Sequence, residues 1–251
     1  MNVVHKIRAF GLARHIIMAL CLLSFYAPSA SQAKDRKLLI SSFEDIVVEG
    51  DLIVNIITGK SPSAIASGDR EAIDSLRMSQ SGDQLTLTQV NTTYSNNTAR
   101  NSSPLSITIT NRSLRNITMR GSGQLTVNEL RQTGNSRIKL FGSGQITITR
   151  VTIGAMDVAI SGNARLSIGS GKVRDATVAI DGSGGYIATM VDHNMLSLSQ
   201  NGGAETIANV LDRASINNNG AGNVTITGKG KCDISRAGIG SIKCANLANK
   251  R

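Results

Sequence analysis

Beyond residue 33 the chain holds a single histidine, His193, in the sequence Asp192-His193-Asn194, with Ser197 and Ser199 close behind it. An imidazole beside an acid and a serine is the material of nucleophilic hydrolysis, in which the imidazole takes the hydroxyl proton. The local order matches no nucleophile-elbow or triad pattern. The segment falls between stretches of strand-like alternation, so His193 is read as a polar turn residue. Carboxylates offer a second chemistry. Asp157, Asp175, Asp181 and Asp192 would interest a polysaccharide-cleaving enzyme, which needs two carboxyls at a fixed separation across one bond. The counterparts of Asp181 in the other repeats described below are Arg120, Phe141, Ser161, Asn201, Asn219 and Ala237, so no acidic ladder forms in that column. Tryptophan is absent, which removes the usual sugar-stacking ring, and the calcium-solenoid pattern Gly-Gly-x-Gly-x-Asp is missing. No catalytic, cofactor-binding or metal-ligating residue is expected.

Two cysteines remain past the leader, Cys232 and Cys244. No CxxC spacing and no nearby histidine supports a metal site, whereas an even pair in an exported chain points to a disulfide. Cys232 lies six residues before Gly238 and Cys244 six after it. Both share the parity of inward positions, so they should face each other across the last turn and clip the open end. Glycine-rich turns are also able to cradle phosphate, but that use needs a helix N-terminus after the turn. Here strand-like alternation follows each one.

Those turns are the organising feature of the sequence. A Gly-x-Gly or similar small turn begins at Gly121, Gly142, Gly162, Gly182, Gly202, Gly220 and Gly238, at intervals of 18 to 21 residues. A second glycine follows two positions later at Gly123, Gly144, Gly184, Gly222 and Gly240. Four residues before each turn stand Ile117, Ile138, Val158, Val178, Leu198, Ile216 and Ile234, all aliphatic. Four after it stand Leu125, Ile146, Leu166, Tyr186, Thr206, Val224 and Ile242. The exception, Thr206, sits beside Ile207, which suggests a one-residue insertion. Alternation of period two on both sides of a fixed turn means two strands per repeat, each with one face inward. Such units cannot bury their apolar faces alone and must stack. The expected fold is therefore all-β: a single-stranded parallel β-solenoid, right-handed by the general crossover preference, of about seven regular turns of ~20 residues. Asn217-Asn218-Asn219 and Gln200-Asn201 invade columns that are apolar in earlier turns. They form either a partial amide ladder or the end of the dry core.

Residues 34–113 are less regular. Alternation around Ile46 and Val48, Val54 and Ile56, Leu85 and Leu87, and Ile107 and Ile109 marks four strands, and residues 70–78 read as a short helix. The polar stretch from Asn91 to Ser103 reads as a surface loop. This region is either the first irregular turns of the solenoid or a cap on it. Residues 1–33 have the build of a secretory signal: Lys6, Arg8 and Arg14, an apolar run from Ile16 to Tyr26, then small residues allowing cleavage after Ala33 or Ala30. The expected layout is a signal peptide over 1–33 and one β-solenoid domain over 34–251, with 34–113 irregular, 114–246 regular and 247–251 a tail. Without the leader, 24 basic residues face 17 acids, a net charge of +7. The cations are scattered and only four aromatic residues remain beyond the leader, which argues against a nucleic-acid platform.

The run Phe43-Glu44-Asp45-Ile46-Val47-Val48-Glu49-Gly50, followed by the repeated Gly-Ser-Gly turns, resembles the head GIN domain of putative auto-transporter adhesins. The resemblance spans roughly Phe43 to Asn246. It implies an exported protein of the bacterial periplasm or cell surface with an adhesive or scaffolding role, and it supplies no catalytic residue. A carbohydrate-active β-helix enzyme and a binder of an anionic envelope polymer are the alternatives. Candidate partners are an envelope polysaccharide, a host surface or another envelope protein, with no nucleic acid, no cofactor and no transmembrane segment after cleavage.

Overall fold

The computed structural model describes residues 34–90 and 105–247 of the compact unit that spans residues 33–251. The leader, most of the tail and the Asn91–Ser103 stretch lie outside the described residues. The regular part consists of β9 (Gln124–Gly142), β10 (Gln145–Gly162), β11 (Arg165–Gly182), β12 (Gly185–Gly202), β13 (Glu205–Asn218) and β14 (Asn223–Arg236), followed by the short β15 (Ile242–Leu247). Each long strand is one nearly complete coil. It pairs in parallel with the coils before and after it, and the seven glycine turns delimit a β-solenoid of about 6 turns.

Register explains the aliphatic columns. Ile117, Ile138, Val158, Val178, Leu198 and Ile216 are successive Cα partners up the stack and all are buried, so the alternation read from the sequence becomes one continuous interior ladder. Val54, Leu125, Ile146, Leu166, Tyr186, Thr206 and Val224 form another. Thr206 holds its place in this ladder and is fully buried, its Oγ1 donating to Gln200 Oε1 at 2.8 Å, so no insertion occurs there. The side-chain hydrogen bond lets a polar residue occupy an apolar position.

Each coil has three inward sides, where the alternation around the glycines shows two. Taking β10 as the example, residues 145–148 make a leading side, 150–155 a middle side including the corner that follows it, and 156–161 a closing side. The middle side buries Leu130, Val151, Ile153, Val173, Val191 and Val210. The stretch between the two anticipated strands is therefore strand as well. Coil length varies in this region: the register between coils shifts at Ile153/Ala155, Ala188/Asp192, His193/Met195 and Ile226/Lys231. Counting from the turn glycine aligns the middle side through β12 but not into β13, and its inward columns are broken by Gln132, Gly171 and His193, which is why its periodicity is hidden.

The turns hold the coils together rather than interrupting the ladder. The Gly121 carbonyl accepts from Ser143 and Gly144 N–H of the next coil at 3.0 and 2.9 Å, and Gly162 and Gly182 repeat the pattern with Ser183 and Gly203. At Gly182 the backbone has φ +125, and a Cβ would strike the Gly162 carbonyl oxygen in the coil below. Both the conformation and the 4.8 Å coil spacing therefore require glycine.

The N-terminal region is both solenoid and cap. Its elements are β1 (Lys34–Leu38), β2 (Asp45–Glu49), β3 (Ile53–Thr58), β4 (Ser63–Gly68), α1 (Arg70–Ser75), β5 (Leu76–Ser81), β6 (Gln84–Gln89), β7 (Ser106–Asn111) and β8 (Asn116–Gly121). The strands β2 and β3 lie in parallel under β8 and β9, while β6 and β7 lie beneath β2 and β3 in turn. Chain order and stacking order thus differ here. The antiparallel strands β4 on β7, β1 on β4, and β5 on β6 then close this end. The helix expected over 70–78 stops at Ser75, because Leu76 turns extended and pairs with Gln89. Antiparallel closure withdraws the outermost parallel edges from solution, the usual site of unwanted strand addition.

Gly182→Ala is expected to destabilise the chain by at least ~2 kcal/mol, since strain at positive φ adds to a backbone clash. Denaturant unfolding should show a lower midpoint for G182A than for Ser183→Ala in the same turn, whose side chain is exposed.

Candidate functional site

His193 is an interior residue, not a turn residue. It stands on the middle side of β12, fully buried, in register with Val173 below and Val210 above. Its Nδ1 lies 2.9 Å from the Asn209 carbonyl oxygen, which only accepts, so Nδ1 carries the proton. The other nitrogen, Nε2, accepts from the Tyr186 hydroxyl at 2.8 Å, with the two rings edge to face at 6.0 Å between centroids. Burial pushes the Tyr186 phenol well above its ordinary range. It also lowers His193, partly offset by the carbonyls of Asn209 and Val191 and by the Asp192 charge. A neutral, fully hydrogen-bonded pair results. Ser197 and Ser199 point to the opposite, solvent side of the closing side and are exposed, so no serine–histidine couple forms.

The four aspartates are distributed over different outward columns. Asp157 accepts from Asn135 at 3.3 Å, Asp175 from Arg174 at 2.8 Å and Asp192 from Asn209 at 2.9 Å, while Asp181 is exposed two columns away on the closing side. Among the described residues no group of three His, Cys, Asp or Glu is placed to hold a metal ion. Nothing here gathers two carboxyls around one bond.

Gln200 and Asn218 are completely buried, and each donates to a carbonyl of its own turn: Gln200 Nε2 to Ala204 O at 2.9 Å and Asn218 Nδ2 to Gly222 O at 3.0 Å. They act as internal staples for the last turns rather than as an amide ladder, and the interior stays closed around them. Above them Cys232 and Cys244 form a disulfide, with Cα atoms 6.5 Å apart, joining β14 to the terminal β15.

Charge is segregated outside. Through β9–β14 the middle side carries seven Lys or Arg against four Asp or Glu, whereas the leading side carries one of each and the closing side three of each. A hollow of about 370 Å³ opens on the middle side where β12 runs two residues longer than β13, lined by Thr152, Lys172, Arg174, Asp192, Asn194 and Leu211 among others. A second, of about 260 Å³, adjoins the next corner beside Arg213, Asp175 and Met195. Periodicity pointed to neither feature: the first sits where coil length changes, and the second spans the corner into the closing side, where the register is unbroken.

The sequence model of the family described as "Putative auto-transporter adhesin, head GIN domain" matches residues 42–230. No curated protein matches the chain. Among solved structures, a putative adhesin from Bacteroides fragilis superposes with a TM-score of 0.73 at 22% identity, covering 85% of this chain and 97% of that one. A putative lipid binding protein from Parabacteroides distasonis gives 0.63 at 18% identity, covering 87% and 97%. A putative adhesin from Parabacteroides merdae gives 0.62 at 13% identity over the same shares. At these identities the likeness concerns the fold.

Two measurements check this interior. Because the folded His193 resists protonation, the unfolded chain takes up a proton below about pH 6.5 that the folded chain does not. Stability should be fully present above that pH and fall by up to about 1.4 kcal/mol per pH unit as pH drops through the folded pKa. Urea midpoints between pH 7.5 and 5 should show this slope in the parent chain and lose it in His193→Gln. Reducing the disulfide, or Cys232→Ala with Cys244→Ala, should cost roughly 3 kcal/mol in the chain-entropy picture of a loop this short, read as a melting temperature lower than that of the oxidised parent.

Proposed function

The chain belongs to the family of auto-transporter adhesin head GIN domains, and from that premise we propose that it is exported to the bacterial envelope and acts there as a non-catalytic adhesive or scaffolding module. Family membership over residues 42–230 is the observation that carries this reading. The chemistry-bearing residues support it. The histidine is sealed in the core with both nitrogens engaged, and the aspartates face outward in separate columns. Among the described residues no helix is long and apolar enough to cross a membrane. Residues 1–33, outside the described part, supply the export signal, and the disulfide suits an oxidising compartment. In such a protein the solenoid serves as a rigid display: its interior is invariant in shape, and its outward columns are free to vary.

Expressed in a bacterium, the chain should be recovered beyond the inner membrane with a new N-terminus at Lys34 or Ser31. Retention in the cytosol with residues 1–33 intact overturns the export reading. Saturable binding of the purified chain to isolated cell envelopes is the expected functional result, and turnover of an envelope polysaccharide by the chain would overturn the non-catalytic reading.

A further inference from the structure

We propose that the middle side of the solenoid is the binding face, and that its ligand is a linear acidic polysaccharide carrying carboxylate or sulfate groups. This rests on the adhesive reading and adds to it a surface and a ligand class. The first observation is the charge segregation: the whole excess of positive charge in β9–β14 lies on this one side. The second is that these cations are not neutralised. Among the described residues Arg150, Lys172, Arg213, Lys229 and Lys231 make no ion pair, while Arg131 and Arg174 on the same side are paired with Glu129 and Asp175. Arg213 and Lys231 are direct register partners on adjacent coils. Like charges on neighbouring rungs repel and destabilise the ladder, a cost that an anionic partner laid across the rungs removes.

Shape agrees with charge. The shortening from β12 to β13 recesses the middle side beside Lys172, and a second hollow begins beside Arg213 at the corner and runs onto the closing side. In the first hollow Lys172 and the Asp175-paired Arg174 stand with Thr152 and Asn194, and the one carboxylate on the same wall, Asp192, is engaged by the Asn209 amide. That combination suits an acid group and the hydroxyls around it. Rungs repeat at about 4.8 Å along the axis, comparable with the length of one sugar residue, so a chain lying along the solenoid meets successive coils in step. A nucleic acid is disfavoured because base stacking needs aromatic platforms, and among the described residues this outer surface has none: Tyr186 is buried and Phe141 lies on the closing side under Arg120.

The test uses the full chain with heparin and polygalacturonate as probes and neutral dextran as the control. The parent should bind both acidic polymers and not dextran, with retention falling as salt shortens the Debye length. Lys172→Ser, Arg213→Ser and Lys231→Ser together should weaken binding about a hundredfold. The matched removal of three closing-side charges, Arg137→Ser, Lys139→Ser and Arg236→Ser, should change it less than about threefold. All six side chains are solvent-facing, and unchanged melting temperatures confirm folding. Equal losses in the two triple variants would overturn the assignment of the face. Tighter binding to single-stranded DNA or to anionic phosphatidylglycerol vesicles than to either polysaccharide would overturn the ligand class. No binding by the parent at low salt would overturn the proposal entirely, and saturable envelope binding under those conditions would leave the adhesive reading standing.

Discussion

The structure depends on one constraint: every coil must offer its neighbour the same inward pattern at the same register. A parallel ladder spends all its backbone hydrogen bonds between coils, and the side chains of one column stack directly on those of the next. A coil has no interior of its own. Its apolar side chains are buried only because equivalent residues lie above and below, so stability comes from repetition and is lost where repetition stops. The ends therefore carry the special devices. Antiparallel strands and a short helix close the N-terminal end. Buried amide side chains and a disulfide secure the last coils at the other.

The same constraint decides where variation is tolerated. Leading and closing sides are pinned by the turn glycines, whose carbonyls bond to the next coil and whose missing Cβ lets the coils approach. Length changes are shunted to the middle side, where β12 and β13 differ by two residues. That side holds the first hollow and His193, which stands where the neighbouring coils carry valines and pairs with Tyr186 of the leading side. Tyr186 and His193 solve a packing problem together. The hydroxyl that Tyr186 must satisfy in a dry core meets the nitrogen that His193 must satisfy, leaving each the partner of the other.

Much of this was legible in the residues. The turn glycines, the column from Ile117 to Ile216 and the facing cysteines appear in the fold where spacing placed them. The middle side was not legible, because its inward columns are interrupted by Gln132, Gly171 and His193 and lose their offset from the glycine in β13. His193 was misread for the same reason: with its side unrecognised, a histidine between an aspartate and an asparagine looked like a turn. Thr206 looked like an insertion because its inward place depends on a hydrogen-bond partner six residues earlier, which no apolar pattern reveals.

By itself, the sequence determined the repeat, the compactness of each turn and which aliphatic residues form ladders, since period-two alternation around a glycine permits only a stacked strand. Tertiary structure alone decided that the β6–β7 layer lies below β2–β3, that each coil has a third side, and that the excess of cations over acids in β9–β14 falls on that side. Those outcomes rest on which coil stacks on which and on where unequal coils absorb their difference, and both are settled only when neighbouring coils compete for the same register.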